Sequence, residues 1–190
     1  MGVQTTIDRV GQVLAGISAL ADRQVLVGIP ASRGVRREGQ ITNAALGYIH
    51  EHGSPARGIP ARPFLIPTVK ALRSKVSEML GLAGLYALAG EPDASARTLH
   101  GMGLMAVNAI RNRIDAGIPP PLADSTLRGR IRNRTSIKGA MAELKRRASG
   151  APPGLDLAKP LIATAQLRNS ITYVIRSRLT GRDVGSPAGG

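Results

Sequence analysis

The residues that could carry out chemistry are few, and the first candidates are His50 and His52, which flank Glu51. Residues two positions apart on a helix lie about 200° apart around its axis, so the two imidazoles would not face one metal ion. A zinc-protease pattern needs histidines four positions apart, and the third histidine, His100, is distant along the chain. We therefore interpret the string as polar residues at a helix end and predict no metal site.

Nucleophilic and phosphate-binding patterns are also missing from the sequence. Ser54 and Ser149 lie next to glycine, but not in the Gly-x-Ser-x-Gly elbow of hydrolases. The glycines around Gly84 lack the lysine and the hydroxyl residue of a phosphate-binding loop. The sequence has no cysteine, which excludes a thiol nucleophile, a thiolate zinc site and a disulfide. Because carboxylates are scarce as well, we predict no catalytic residue, no cofactor and no enzymatic activity.

The protein is strongly basic, with a formal net charge of +14 at pH 7. Such a surplus favours a polyanionic neighbour. Aromatic residues are almost absent, with one Phe and no Trp, which argues against the base stacking used by single-strand-binding proteins. The sequence contains no signal peptide and no apolar run of the roughly 18 residues that a membrane span needs. We therefore expect a soluble protein that is made in the cytoplasm.

The positive charge is concentrated between Ser125 and Arg147, where Glu143 is the one acidic residue. We interpret residues 128–155 as a flexible basic loop. It could contact DNA phosphates by charge alone, without reading bases, or it could be a solvated surface, and both interpretations stay open. Alternating arginines would share one side of an extended segment, whereas a helix would spread them over two faces. The candidate contacts are Arg128, Arg130, Arg132, Arg134, Lys145, Arg146 and Arg147.

Apolar periodicity predicts the elements that must position these groups. Two β-branched runs predict strands, one over residues 24–30 that is buried on both faces and one over 171–176 that closes the sheet. The elements together predict an α+β fold, a small β-sheet with long helices packed on one side, plus extended loops. We expect one domain over residues 1–179 and a disordered tail over 180–190. Apolar stripes and capping residues predict helices at 3–21, 42–52, 67–89, 93–116 and 161–170, with an exposed loop at 31–40.

Residues 58–65, Gly-Ile-Pro-Ala-Arg-Pro-Phe-Leu, form the most distinctive local string. Its two prolines fix an extended backbone, and its phenylalanine is the only one in the sequence. The string could be a stiff connector whose phenylalanine fills the core, or an arm that docks on a neighbouring subunit. Both interpretations stay open. The candidate anchor residues are Ile59, Pro60, Arg62, Pro63 and Phe64.

This string also carries a family resemblance. His50-Glu51-His52-Gly53 followed by residues 59–65 resembles the E-x-G … I-P-A-R-P-F signature of tail-component, tail-completion and virion-morphogenesis proteins of tailed bacteriophages. Residues 119–127 resemble the family's P-P-L-x-x-S-T segment, and residues 159–171 resemble its K-P-L-x-D-T-G-x-L-x-x-S-I close. The sequence departs from the family at Ala163 and Ala165, where the family usually has Asp and Gly. The three strings stand in the family's order and span most of the protein.

The resemblance implies an α+β fold and a structural role in the virion. It implies a ring of identical subunits, a hexamer, around the DNA channel at the head–tail junction, assembled in the host cytoplasm. Its partners would be the adjacent neck or connector protein and the tail-tube or tail-terminator protein, with packaged DNA contacted non-specifically and no membrane. The alternative is a stand-alone basic nucleic-acid-binding protein. A nuclease would need clustered carboxylates, which the sequence lacks.

Overall fold

The computed structural model describes residues 10–31 and 41–185. The first turns of the helix predicted from Val3, most of the loop predicted at 31–40 and the last five residues lie outside this part of the protein. The described elements confirm the α+β class. They are α1 Val10–Asp22, β1 Arg23–Gly28, α2 Asn43–His52, α3 Ile66–Ala71, α4 Arg73–Leu88, α5 Pro92–Ala116, α6 Asp124–Arg132, α7 Ile137–Ala148, α8 Gln166–Ser170, β2 Thr172–Ser177 and β3 Asp183–Gly185.

The protein divides into two compact units. Among the described residues, the first unit is built from residues 10–27, 71–106 and 173–185, and the second unit from residues 28–31, 41–70 and 107–172. The single domain expected over residues 1–179 stays a prediction.

The first unit contains the sheet, whose described strands lie in the order β1-β2-β3. The central strand β2 alternates, burying Tyr173, Ile175 and Ser177. The strand predicted over 171–176 therefore forms, but it does not close the sheet, because β3 follows it in the strand order. β3 pairs with it antiparallel, and this strand corrects the prediction of a disordered tail starting at residue 180. The prediction that β1 is buried on both faces is wrong, because β1 lies at a sheet edge and Leu26 is exposed.

Helices α1 and α4 of the first unit pack closely through small residues. A Cβ added at Gly16 would lie 2.9 Å from the carbonyl oxygen of Ala87, so the glycine permits the close approach of the two backbones. Ala83 and Ala87 are buried on α4. The helix predicted from Pro67 to Ala89 is divided at Leu72 into α3 and α4.

The second unit has a small apolar core where α6 and α7 pack together. Leu122, Leu127, Ala140 and Ala158 are buried there, with the half-buried Leu144 beside them. The prediction of a flexible loop over residues 128–155 is therefore wrong for most of that segment, because the inward sides of both helices are held by this core.

The helix predicted at 161–170 is also shorter than expected, because only the five residues of α8 are helical there. Leu161 has φ 67° and Ala165 has φ 55°. Both residues adopt the left-handed backbone conformation, which does not continue a right-handed helix. The helical turns can therefore begin only after Ala165.

Candidate functional site

The carboxylate of Glu51 organises the turn between α2 and α3. Its Oε2 accepts hydrogen bonds from the backbone N–H groups of Phe64 (2.8 Å) and Leu65 (2.9 Å), and its Oε1 accepts one from Ile66 (2.8 Å). These donors lie at the start of α3, where helical N–H groups have no partner within the helix. Glu51 is 7% exposed, so the charge is held inside the second unit as a cap on α3.

Sequence chemistry sets this turn. Thr42 caps the start of α2 by accepting a hydrogen bond from the Ala45 N–H. The helix ends at Gly53, which has φ 77° and passes so close to the next segment that a Cβ would lie 2.8 Å from the Ala61 nitrogen. Only glycine fits both conditions. Within residues 10–31 and 41–185, no group of three or more metal-ligating side chains could hold an ion.

Arg62 joins the first string of the resemblance to the second. It is 6% exposed, and its Nε and Nη2 donate to the carbonyl oxygen of Pro120 at 3.1 and 2.9 Å. Nη2 also lies 3.4 Å from the carbonyl oxygen of Pro121. Burial lowers the pKa of the Arg62 guanidinium.

Arg130 joins the region of the second string to the third. It is 7% exposed on α6, and its Nη2 donates to the carbonyl oxygen of Lys159 at 2.9 Å. Burial, and then repulsion from Arg62, lower the pKa of Arg130. The two guanidinium groups are therefore close enough for their charges to repel, although Arg62 and Arg130 are far apart in the sequence.

Both arginines line an open cleft of about 1160 Å³ in the second unit. Residues from all three strings of the resemblance form its walls. The exposed Arg57 adds a third positive charge, and the first turn of α6 contributes Ser125 and Thr126. None of the described residues that line the cleft is an aspartate or a glutamate. The arrangement offers positive charge and hydrogen-bond donors, which suit an anion.

The anchor residues predicted from the Pro-containing string have different environments. Phe64 is 2% exposed and belongs to the core of the second unit rather than to an exposed arm. Ile59 pairs with Ser54 through two backbone hydrogen bonds, and Pro60 is exposed on the cleft wall. The carbonyl oxygen of Pro63 accepts a hydrogen bond from Arg113.

Glu143 is fully buried on α7 and gathers two of the predicted contact residues. Its oxygens accept hydrogen bonds from Arg146, from Arg147 and from the backbone N–H of Gly154. The Arg146 guanidinium does most to lower the pKa of Glu143, to about 2, against the opposing effect of burial. Arg147 also bonds to Asp124 at 2.6 Å. Glu143 thus anchors the loop that follows α7 through Gly154, while Arg146 and Arg147 neutralise its buried charge.

The seven candidate contact residues lie on and between helices, not on the flexible loop that their sequence pattern predicts. Arg130, Arg146 and Arg147 make the structural contacts just described. The remaining four side chains are exposed, and on α6 Arg128 and Arg132 share one face because they lie four positions apart. Their contact with DNA or a partner stays a prediction. The exposed four are Arg128, Arg132, Arg134 and Lys145.

Sequence reasoning missed the pairing of Arg62 with Arg130 and the place of Arg57 beside them. These arginines are too far apart in the sequence for local patterns to place them together. The one sequence feature that could have indicated it is that each arginine lies in or next to a string of the resemblance.

Comparison of the protein with protein-family models, with curated proteins and with solved structures finds no match. No helix in the described part of the protein is long and apolar enough to cross a membrane.

Proposed function

We propose that this protein is a structural virion protein of a tailed bacteriophage, a tail-completion or neck component that forms a ring around the DNA channel at the head–tail junction. The proposal assigns it no enzymatic activity. One observation carries the proposal. The three strings that resemble the phage family are distant in the sequence, yet they line one cleft and are tied to one another by Arg62 and Arg130.

The backbone at Ala165 gives further support. This residue has φ 55°, in the left-handed region that favours glycine. It stands where the resembled family usually has Gly. The protein therefore keeps the backbone turn that the family's glycine would accommodate, although its own side chain is different. A chance match of short strings would not predict this agreement.

The surface of the first unit supports subunit assembly. Leu14 on α1 is 58% exposed, and Leu85 on α4 is 64% exposed. Large exposed apolar side chains are typical of surfaces that become buried in an assembly. A ring of identical subunits would cover such a surface in every copy.

Electron microscopy of purified virions that contain this protein tests the proposal. We expect a closed ring, six copies by the resemblance, between the head and the tail with its axis on the DNA channel. Nonsense mutation of the gene should leave heads and tails that sediment separately, and supply of the wild-type protein should restore joined particles. A single copy or a two-fold dimer away from the tail axis would contradict the proposal.

The stand-alone nucleic-acid-binding alternative is favoured by the exposed cations of α6. It differs in a measurable way, because a stand-alone binder holds DNA tightly at low salt as a monomer or dimer. A free protein that binds duplex DNA with high affinity, and is absent from purified virions, would support that alternative.

A further inference from the structure

The cleft of the second unit contains positive charges that no carboxylate neutralises within the described residues. Arg62 and Arg130 both donate to backbone carbonyl oxygens. Buried arginines are normally paired with an acidic group, since burial of an unpaired charge is costly. Here two such groups line the same cleft, and repulsion from Arg62 makes the charged form of Arg130 less favourable.

Arg130 also has hydrogen-bonding capacity to spare. A guanidinium has five N–H donors, and in the described part of the protein the side-chain hydrogen bonds of Arg130 are limited to the one from Nη2 to Lys159. Its other guanidinium nitrogens are not among the fully buried unpaired atoms, and the residue lines the cleft. An oxyanion would find a planar set of donors there.

The walls of the cleft indicate what carries the anion. Leu46, Ile59 and Leu161 contribute apolar surface, as do Leu122 and Leu167. A concave site with apolar walls and a few charged groups is typical of sites that enclose a small group or a peptide side chain. DNA phosphates are instead contacted mainly by side chains that reach out from the protein surface, whereas Arg62 and Arg130 are both less than a tenth exposed.

The first turn of α6 adds to the attraction for an anion. Ser125 and Thr126 line the cleft, and the positive end of a helix dipole favours negative charge. Asp124, in the same turn, is directed to Arg147 at 2.6 Å and is not part of the cleft lining.

We propose that this cleft binds a carboxylate on an extended peptide segment of a partner protein, with the apolar side chains beside that carboxylate packed against the leucines of the cleft. The carboxylate belongs either to an aspartate or glutamate side chain or to the free C-terminus of the partner. This inference rests on the cleft alone and holds whether or not the protein is a phage neck component.

The first test uses the wild-type protein, synthetic peptides and NMR. The probe is acetyl-Gly-Leu-Glu-Leu-Pro-Gly-amide, and the matched controls replace its Glu by Gln or by Lys. A further peptide has Gln and a free C-terminal carboxylate, which separates the two sources of the anion. We expect saturable shifts of the Gly58 and Gly129 amide signals, both at the cleft, and at least about tenfold tighter binding for a carboxylate peptide than for the Gln amide.

Variants then locate the site. Arg57→Ser removes an exposed charge at the cleft and should weaken binding several-fold without unfolding the protein. Arg130→Lys keeps a charge but loses the planar set of donors, and should weaken binding further. Arg97→Ser, at an exposed position of α5 outside the cleft, is the matched control and should bind as the wild type does.

Several results would overturn the proposal. The first is that neither the Glu peptide nor the peptide with a free C-terminal carboxylate binds more tightly than the Gln amide. The second is that the peptides shift only the signals of residues outside the cleft. The third is that a short DNA duplex shifts the cleft signals while the peptides do not. Because the peptide comparison uses the unmodified protein, misfolding of Arg130→Lys would not remove the test. Failure here would leave the ring at the head–tail junction unaffected as a proposal, since that is decided on virions.

Discussion

Three consecutive N–H groups at the start of α3 depend on one carboxylate, that of Glu51. The Glu51→Ala variant would leave the buried Phe64 donor and the two part-buried donors beside it without partners, so we expect a loss of about 2–4 kcal/mol in the free energy of unfolding. Urea unfolding measures it. Glu78→Ala is the control, since Glu78 pairs with Lys75 at the surface and should change the stability by less than about 1 kcal/mol. Equal losses in both variants would exclude the capping role.

Glu143 makes stability depend on pH in a definite direction. Its pKa in the folded protein is lowered to about 2 from 4.5, so the unfolded state binds a proton first as the pH falls. The stabilisation is complete above pH 4.5 and is lost as the pH falls through about 2. The thermal midpoint should therefore decrease across that window. Glu143→Gln should have a lower midpoint at neutral pH and a flatter dependence, and an equally steep dependence would assign the effect to other carboxylates.

At the scale of elements, the predictions succeeded where local chemistry decides the structure. Thr42 and Gly53 mark the ends of α2 by capping it, and the alternation of β2 follows from one buried face. The prediction of a flexible loop failed at α6 and α7, because the inward sides of these helices carry Arg130 and Glu143. Charged residues of these types suggest a solvated loop. Only the surrounding fold supplies their partners. The cleft could not be predicted from the sequence for the same reason, because its walls come from strings that are distant in the sequence.

The residue before α8 offers a prediction for that element. Ala165 has a steric penalty in the left-handed region, roughly 1–2 kcal/mol. Ala165→Gly should remove this penalty, although the greater freedom of glycine in the unfolded state offsets part of the effect. We expect a net increase of about 0.5–1 kcal/mol in the free energy of unfolding. Denaturant unfolding measures the change. Ala142→Gly, at an exposed position within α7, should instead lose about 0.5–1 kcal/mol. A loss in both variants would show that the turn does not strain Ala165.

At the scale of the whole molecule, the question is whether the exposed charges meet a partner. If Arg128, Arg132 and Arg134 face the DNA channel or an acidic ring, replacing all three by Ser should impair head–tail joining while the unfolding midpoint is kept. The association should weaken steeply with salt and ignore DNA sequence, because phosphate contacts release counterions and read no bases. Infectious-particle counts and sedimentation of separated heads and tails measure it.

A matched control removes three charges elsewhere. Lys70, Arg73 and Arg97 are not among the cleft residues or the α6 cations, and their replacement by Ser lowers the net charge by the same amount. This variant should join heads to tails normally. Equal impairment in both variants would mean that the total charge matters and not the α6 surface, whereas normal joining in both would identify the α6 arginines as a solvated surface.

The bonds that hold the cleft together end on peptide carbonyl oxygens, at Pro120 and Lys159. A peptide carbonyl does not titrate, and an arginine stays protonated across the whole physiological range. The ties at Glu143, by contrast, break once its carboxylate takes up a proton. Acidification should therefore divide the second unit into two responses. The segment around Gly154 would open in acid, while the cleft would keep its shape and its charge.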